Sequence, residues 1–204
     1  MENRLSKPLA SEIATSAVWQ GLRTAGVIVG GSALVAVCSH IALPLWFTPI
    51  PLTLQPFAVL LLGLLLAPRL AAATLGAYLL EGVMGVPVFA PGLAFGAGVA
   101  HLLGPTGGYL MSYPAAAALV AYLWRSSSSR RRFSAALMSA AVGNVVILLC
   151  GFLWLLVWTR GTGSYGSVKA AFVLAVLPFL PGDALKAVAA AAIARGFEHA
   201  RKRR

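Results

Sequence analysis

Residues 133–158 read Phe133-Ser-Ala-Ala-Leu-Met-Ser-Ala-Ala-Val-Gly-Asn-Val-Val-Ile-Leu-Leu-Cys-Gly-Phe-Leu-Trp-Leu-Leu-Val-Trp158, without one charged side chain. Arg130, Arg131 and Arg132 stand immediately before this run and Arg160 closes it. About 20 apolar residues are needed for a helix to cross the hydrocarbon of a bilayer, and this run exceeds that. The rest of the chain has the same character. Of 204 residues, 59% are hydrophobic and 10% are charged, and the mean hydropathy is +0.85. Soluble domains average roughly 45–50% apolar and about 25% charged, so the composition is that of an integral membrane protein. Five to seven spans fill such a length, which leaves no room for a soluble catalytic domain.

Working outward from 133–158, apolar runs at about 22–42, 54–67, 70–84 and 109–124 predict four further spans. The apolar region 168–197 is cut by Pro178 and Pro181, which predicts a short helix at about 168–177 and a sixth span from near Gly182. Two stretches lack a helical pattern: the Pro-rich segment from Pro44 to Pro51, and the Gly- and Pro-rich region 85–108. With both termini cytoplasmic, that side receives Arg4, Lys7, Arg23, Arg69, Arg125, Arg130, Arg131, Arg132, Arg195, Arg201, Lys202, Arg203 and Arg204, thirteen of sixteen basic residues. Arg160 and Lys169 fall outside, and Lys186 lies within a span. This bias explains the net charge of +11 without nucleic acid. The expected fold is all-α: six transmembrane helices, cytoplasmic N- and C-termini and long non-helical outer loops. Residues 1–20 read as a cytoplasmic or interfacial segment, 21–197 as the single membrane domain and 198–204 as a basic cytoplasmic tail. The first span is read as retained, because Val35-Ala-Val-Cys38 is a poor cleavage box.

Charged residues at membrane depth are costly and mark function by default. Glu81 falls at the outer end of span three, and Asp183 and Lys186 fall at the outer start of span six. Asp183 and Lys186 are three residues apart and share a helix face. Two plain readings compete with a ligand role: an ion pair within the helix, or Asp183 as a cap after Pro181-Gly182. A lysine in the first turn faces the positive helix end, an arrangement that invites an anion. Gln55 follows the Pro-rich loop, and Asn144 sits in mid-span, where an amide often bridges helices. Trp46, Phe47, Tyr78, Phe89, Tyr109 and Tyr113 collect on the outer side, as an interfacial belt or as walls over a small ligand. Gly26/Gly30 and Ser32/Ala36 are small residues four apart in span one, which suits close approach of another helix. Gly104-Pro-Thr-Gly-Gly108 lacks the Lys of a phosphate loop. Histidines and cysteines have no metal-ligand spacing, and Cys38 and Cys150 read as buried thiols.

Four blocks occur in order: Pro49-Ile-Pro-Leu-Thr-Leu-Gln55, Tyr78-Leu-Leu-Glu-Gly-Val-Met-Gly-Val-Pro-Val-Phe89, Leu103-Gly-Pro-Thr-Gly-Gly-Tyr-Leu110 and Leu180-Pro-Gly-Asp-Ala-Leu-Lys186. Together they closely resemble the BioY family, the biotin-binding S components of energy-coupling factor (ECF) transporters. The resemblance implies a six-helix fold with a substrate pocket near the outer face, in a bacterial cytoplasmic (inner) membrane. It implies biotin as the transported ligand, no cofactor, and partnership with a membrane coupling subunit and cytoplasmic ATPases. The chain has no Walker motif and is expected to be a transporter subunit, not an enzyme. A homo-oligomer is left open. A small-residue face of the first helix, Gly26/Gly30 or Ala33/Ala36, is expected to dock the partner. A carrier for another vitamin-like solute and a purely structural membrane subunit are the alternatives.

Biotin chemistry suits the residues singled out. Asp183, Glu81, Gln55 or Asn144 can accept from the two ureido N–H groups. Lys186 can pair with the carboxylate or donate to the ureido oxygen. Trp46, Tyr78, Phe89 and Tyr109 are expected to supply apolar walls.

Overall fold

The computed structural model describes residues 6–91, 98–128, 132–162 and 167–202. Arg4, Arg130, Arg131, Arg203, Arg204 and part of the 85–108 region lie outside the described residues. Eight helices and one two-stranded hairpin are present among the described residues. α1 runs Ser6–His40, α2 Gln55–Leu65, α3 Pro68–Val83, α4 Val99–Leu102, α5 Gly107–Ser126, α6 Phe133–Thr162, α7 Val168–Ala175 and α8 Leu180–Lys202. β1 (Ala42–Leu43) pairs antiparallel with β2 (Leu52–Thr53), with Ala42 opposite Thr53.

Most of these bounds follow from local chemistry. Pro56 and Pro68 lie in the first turns of α2 and α3, where the missing N–H costs nothing and the fixed φ favours entry. α1 continues across residue 20 because Leu9–Gln20 contains neither Gly nor Pro to stop it. The break between α7 and α8 falls at residues 176–179, where Pro178 cannot donate to the helical ladder. The two helices are bent by 43° across it. The hairpin was not expected. Pro44, Pro49 and Pro51 keep the connection from becoming helical, and the two short strands close it.

Two helical stretches, Ser16–His40 and Phe133–Gly161, are long and apolar enough to cross a membrane alone, and the bent α7–α8 pair makes a third if counted as one span. α2 has 11 residues, about 16 Å of rise, and cannot span a ~30 Å hydrocarbon layer by itself. It is instead the buried centre of the bundle, packed against α1, α5, α6 and α8. Val59 and Leu60 on α2 are wholly buried, as is Val120 on α5.

Close approach at this centre depends on absent side chains. A Cβ on Gly63 would lie 2.8 Å from Val120 Cβ and 2.9 Å from the Ala117 carbonyl oxygen. α8 presents Ala187, Ala190, Ala191 and Ala194 inward, all nearly or fully buried. This i, i+3, i+4, i+7 stripe continues upward through Lys186 and Asp183. The same helical period that buries the alanines therefore buries the ion pair. Cys38 and Cys150 are free thiols.

Candidate functional site

α2, α5 and α8 all begin at the hairpin end of the bundle, and a cavity lies between their first turns. α8 contributes Asp183 and Lys186, α2 contributes Gln55 and Pro56, and α5 contributes Tyr109, Leu110 and Tyr113, with Thr106 just before it. Ile147 and Leu148 of α6 and Phe179 of the α7–α8 break complete the helical walls. Ile50, Pro51 and Thr53 of the hairpin, with Ala90 and His101, lie around them. The space between these walls, counted to the mouth, is about 520 Å³.

Lys186 Nζ donates to Asp183 Oδ1 at 2.9 Å. The residues are 9% and 3% exposed, so both charges have left bulk solvent. Asp183 is not a helix cap. Its own N–H already donates to the Phe179 carbonyl at 2.8 Å, and its side chain turns to Lys186. Burying such a pair carries a desolvation cost that is seldom repaid by attraction alone. Its place on a cavity wall offers a different return: a neutral, bipolar surface with carboxylate acceptors beside ammonium donors.

Gln55 stands at the head of α2 and is 4% exposed. Thr53 Oγ1 donates to Gln55 Oε1 at 3.1 Å, and Gln55 Nε2 donates to Tyr78 Oη at 2.6 Å. Tyr78 in turn donates to the Val88 carbonyl at 3.0 Å. This chain of bonds fixes which way the amide points and ties the hairpin and the segment after α3 to the bundle. Tyr109 donates from its hydroxyl to the Ala175 carbonyl at 2.6 Å and so holds α7 over α5.

The structure thus gathers Asp183, Lys186, Gln55 and Tyr109 around one cavity. Other residues expected at the site are elsewhere. Trp46 is 95% exposed at the loop tip, edge-on to Phe47 at 5.4 Å between ring centroids, because no helix reaches it. Tyr78 and Phe89 are buried behind the lining: Tyr78 supports Gln55, and Phe89 stacks on His101 at 5.0 Å over the bare face of Gly82. Glu81 points to α1, where Ser32 Oγ donates to its Oε1 at 2.8 Å, and it joins α3 to α1 away from the cavity. Asn144 is buried one helical turn before Ile147 and Leu148, outside the lining, and its Oδ1 has no partner among the described residues.

Thr106 and His101 were not singled out for the site, and Tyr113 was read only as one of the outer aromatics. Tyr113 had a legible clue, since it follows Tyr109 by four residues and so shares its face. Gly26, Gly30 and Ala33 lie on the open side of α1, and nothing is within 4 Å of a Cβ built on either glycine. Ala36 instead packs partly against the core.

The model of the BioY family matches residues 7–203. The chain belongs to the BioY family. A probable biotin transporter BioY of Pyrococcus horikoshii is 40% identical over 162 residues, which cover 79% of this chain and 88% of that protein. The biotin transporter BioY of Thermotoga maritima is 32% identical over 163 residues, 80% of this chain and 88% of the relative. Among solved structures, the S-component for biotin from an ECF-type ABC transporter matches with a TM-score of 0.75 at 23% identity. That match covers 88% of this chain and 93% of the other, so the two share a fold. The four ordered blocks of the sequence thus belong to a BioY membrane protein.

Proposed function

We propose that this BioY protein is the membrane-embedded biotin-binding subunit of an uptake system, a transporter and not an enzyme. The observation that carries the reading is the buried Asp183–Lys186 pair on the wall of a cavity that also holds Gln55. Biotin's bicyclic head has two ureido N–H donors, one ureido carbonyl and an apolar thioether ring. Asp183 and the Gln55 oxygen suit the donors, Lys186 suits the carbonyl, and Tyr109, Tyr113, Ile147 and Phe179 suit the ring.

The arrangement in the membrane belongs to the same proposal. Six membrane-crossing segments form one domain over 21–197, the short α2 crossing within the protein bundle and not against lipid, with the preceding segment and the basic tail 198–204 cytoplasmic. The cavity then faces outward, in a bacterial cytoplasmic membrane. The charge bias along the chain supports this orientation. A membrane coupling subunit and ATPases supply the energy, and the open Gly26/Gly30/Ala33 face of α1 is where that subunit docks.

Biotin titrated calorimetrically into detergent-purified protein is expected to bind at one site per chain, and excess thiamine or riboflavin is expected not to compete. Competition by another vitamin with no response to biotin would overturn the substrate assignment. Gly30→Leu is expected to leave biotin binding within about twofold, since its side chain meets open space. Uptake by cells carrying the energising subunits should nevertheless fall severely. Unchanged uptake would move the docking face elsewhere.

A further inference from the structure

One backbone carbonyl links the first helix to the cavity. Residues 86–90 follow α3 without helix or strand, yet Val88, Phe89 and Ala90 are buried and Ala90 lines the cavity. Irregular backbone buried in this way must find hydrogen-bond partners outside any ladder. The Val88 carbonyl accepts two hydroxyls. Tyr78 Oη donates to it at 3.0 Å from α3, and Ser39 Oγ donates to it at 2.7 Å from the last turn of α1. Ser39 and Tyr78 are both wholly buried.

The serine is not needed by its own helix. A serine inside a helix ordinarily turns back onto a carbonyl of the preceding turn. The Ser39 hydroxyl does lie 2.7 Å from the Ala36 carbonyl, but that oxygen already has the His40 ring Nδ1 at 2.8 Å. The bond to Val88 instead joins segments 49 residues apart.

This clasp holds part of the cavity wall. Tyr78 commits its one proton to Val88, so towards Gln55 its oxygen can only accept, and Gln55 Nε2 donates to it at 2.6 Å. The place of the Val88 carbonyl therefore decides where the Tyr78 hydroxyl sits, how the Gln55 amide is turned and where Ala90 stands on the wall.

We infer that Ser39 is a positioning residue for the cavity. By fixing the Val88 carbonyl it keeps Ala90 and the Gln55–Tyr78 pair in place around a bound ligand, and so sets how long the ligand stays. Ser39 acts only through these groups, since it is not part of the lining. The inference rests on the biotin reading above and adds to it a residue from α1.

The test follows release of radiolabelled biotin, chased with excess unlabelled biotin, from detergent-purified wild type, Ser39→Ala, Tyr78→Phe and the double variant. Thermal unfolding is measured on the same samples. Ser39→Ala leaves Val88 its bond from Tyr78, so unfolding should stay within a few degrees of wild type. Release should quicken about threefold to tenfold, the weight of one neutral hydrogen bond, while association stays within about twofold. In the double variant the Val88 carbonyl loses both hydroxyls, and release should quicken by more than the product of the two single effects. Should Ser39→Ala fail to fold, Ser39→Cys, a weaker donor of similar size, should quicken release about twofold or more. Unchanged release, or release that quickens only as the unfolding temperature falls, would overturn the positioning role. So would a double variant no worse than the product, because the two hydroxyls would then not act through one carbonyl. Wild type that retains no biotin would overturn the substrate reading and this inference with it.

Discussion

Asp183→Ala is expected to abolish measurable biotin binding and to lower the unfolding temperature as well. Two effects act together. The variant removes the carboxylate on the cavity wall, and it leaves the Lys186 ammonium without its partner at 9% exposure. Breaking a buried pair from one side costs roughly 3–5 kcal/mol, because the surviving charge is left uncompensated. Loss of binding alone would then be ambiguous. The double variant Asp183→Asn/Lys186→Met separates the two effects, since it removes both charges at similar volume. It is expected to unfold within a few degrees of wild type and still bind biotin at least about a hundredfold more weakly, the loss of charge-assisted bonds worth about 1.5–3 kcal/mol each. Thermal unfolding in detergent and titration calorimetry on the same samples decide it. A stable double variant that binds like wild type would make the pair a structural feature of α8 and remove it from the site.

Gly63→Val should strongly destabilise the bundle although it lies outside the cavity. Gly63 lies on the buried helix α2, and even a methyl group there would meet Val120 Cβ at 2.8 Å and the Ala117 carbonyl oxygen at 2.9 Å. The first contact is the root of a branched side chain and the second is backbone, so neither can swing aside. Overpacking of this kind costs about 1–3 kcal/mol, and more where α2 and α5 are forced apart. The expected result is a marked loss of folded protein on extraction. Gly76→Val, on α3 with nothing within 4 Å of its Cβ, should behave like wild type. Equal stability of the two variants would mean that α2 does not pack as closely as described.

Much of this was legible because local chemistry fixed it. Prolines and charge clusters placed most helix ends within a few residues, including the break before α8, but α1 begins at Ser6 and not near residue 22. The three-residue spacing of Asp183 and Lys186 was enough to predict that they share a face and can pair. The hairpin was harder to read, since two-residue strands have no period and exist only because Ala42 and Thr53 are brought opposite each other. Trp46 and Phe89 both read as outer aromatics. Hydropathy does not distinguish a ring at a loop tip from one stacked on His101.

The sequence by itself determined a membrane protein of the BioY type, the positions of most of its helices and one candidate polar pair. These depend on composition and on contacts within a few residues. Only the tertiary structure decided which polar groups face one another. Gln55, Asp183 and Tyr109 come from three helices, and whether they meet depends on how each helix is rotated about its axis. That rotation is set by the fit of Gly63 under Val120 and of the alanine face of α8 against its neighbours.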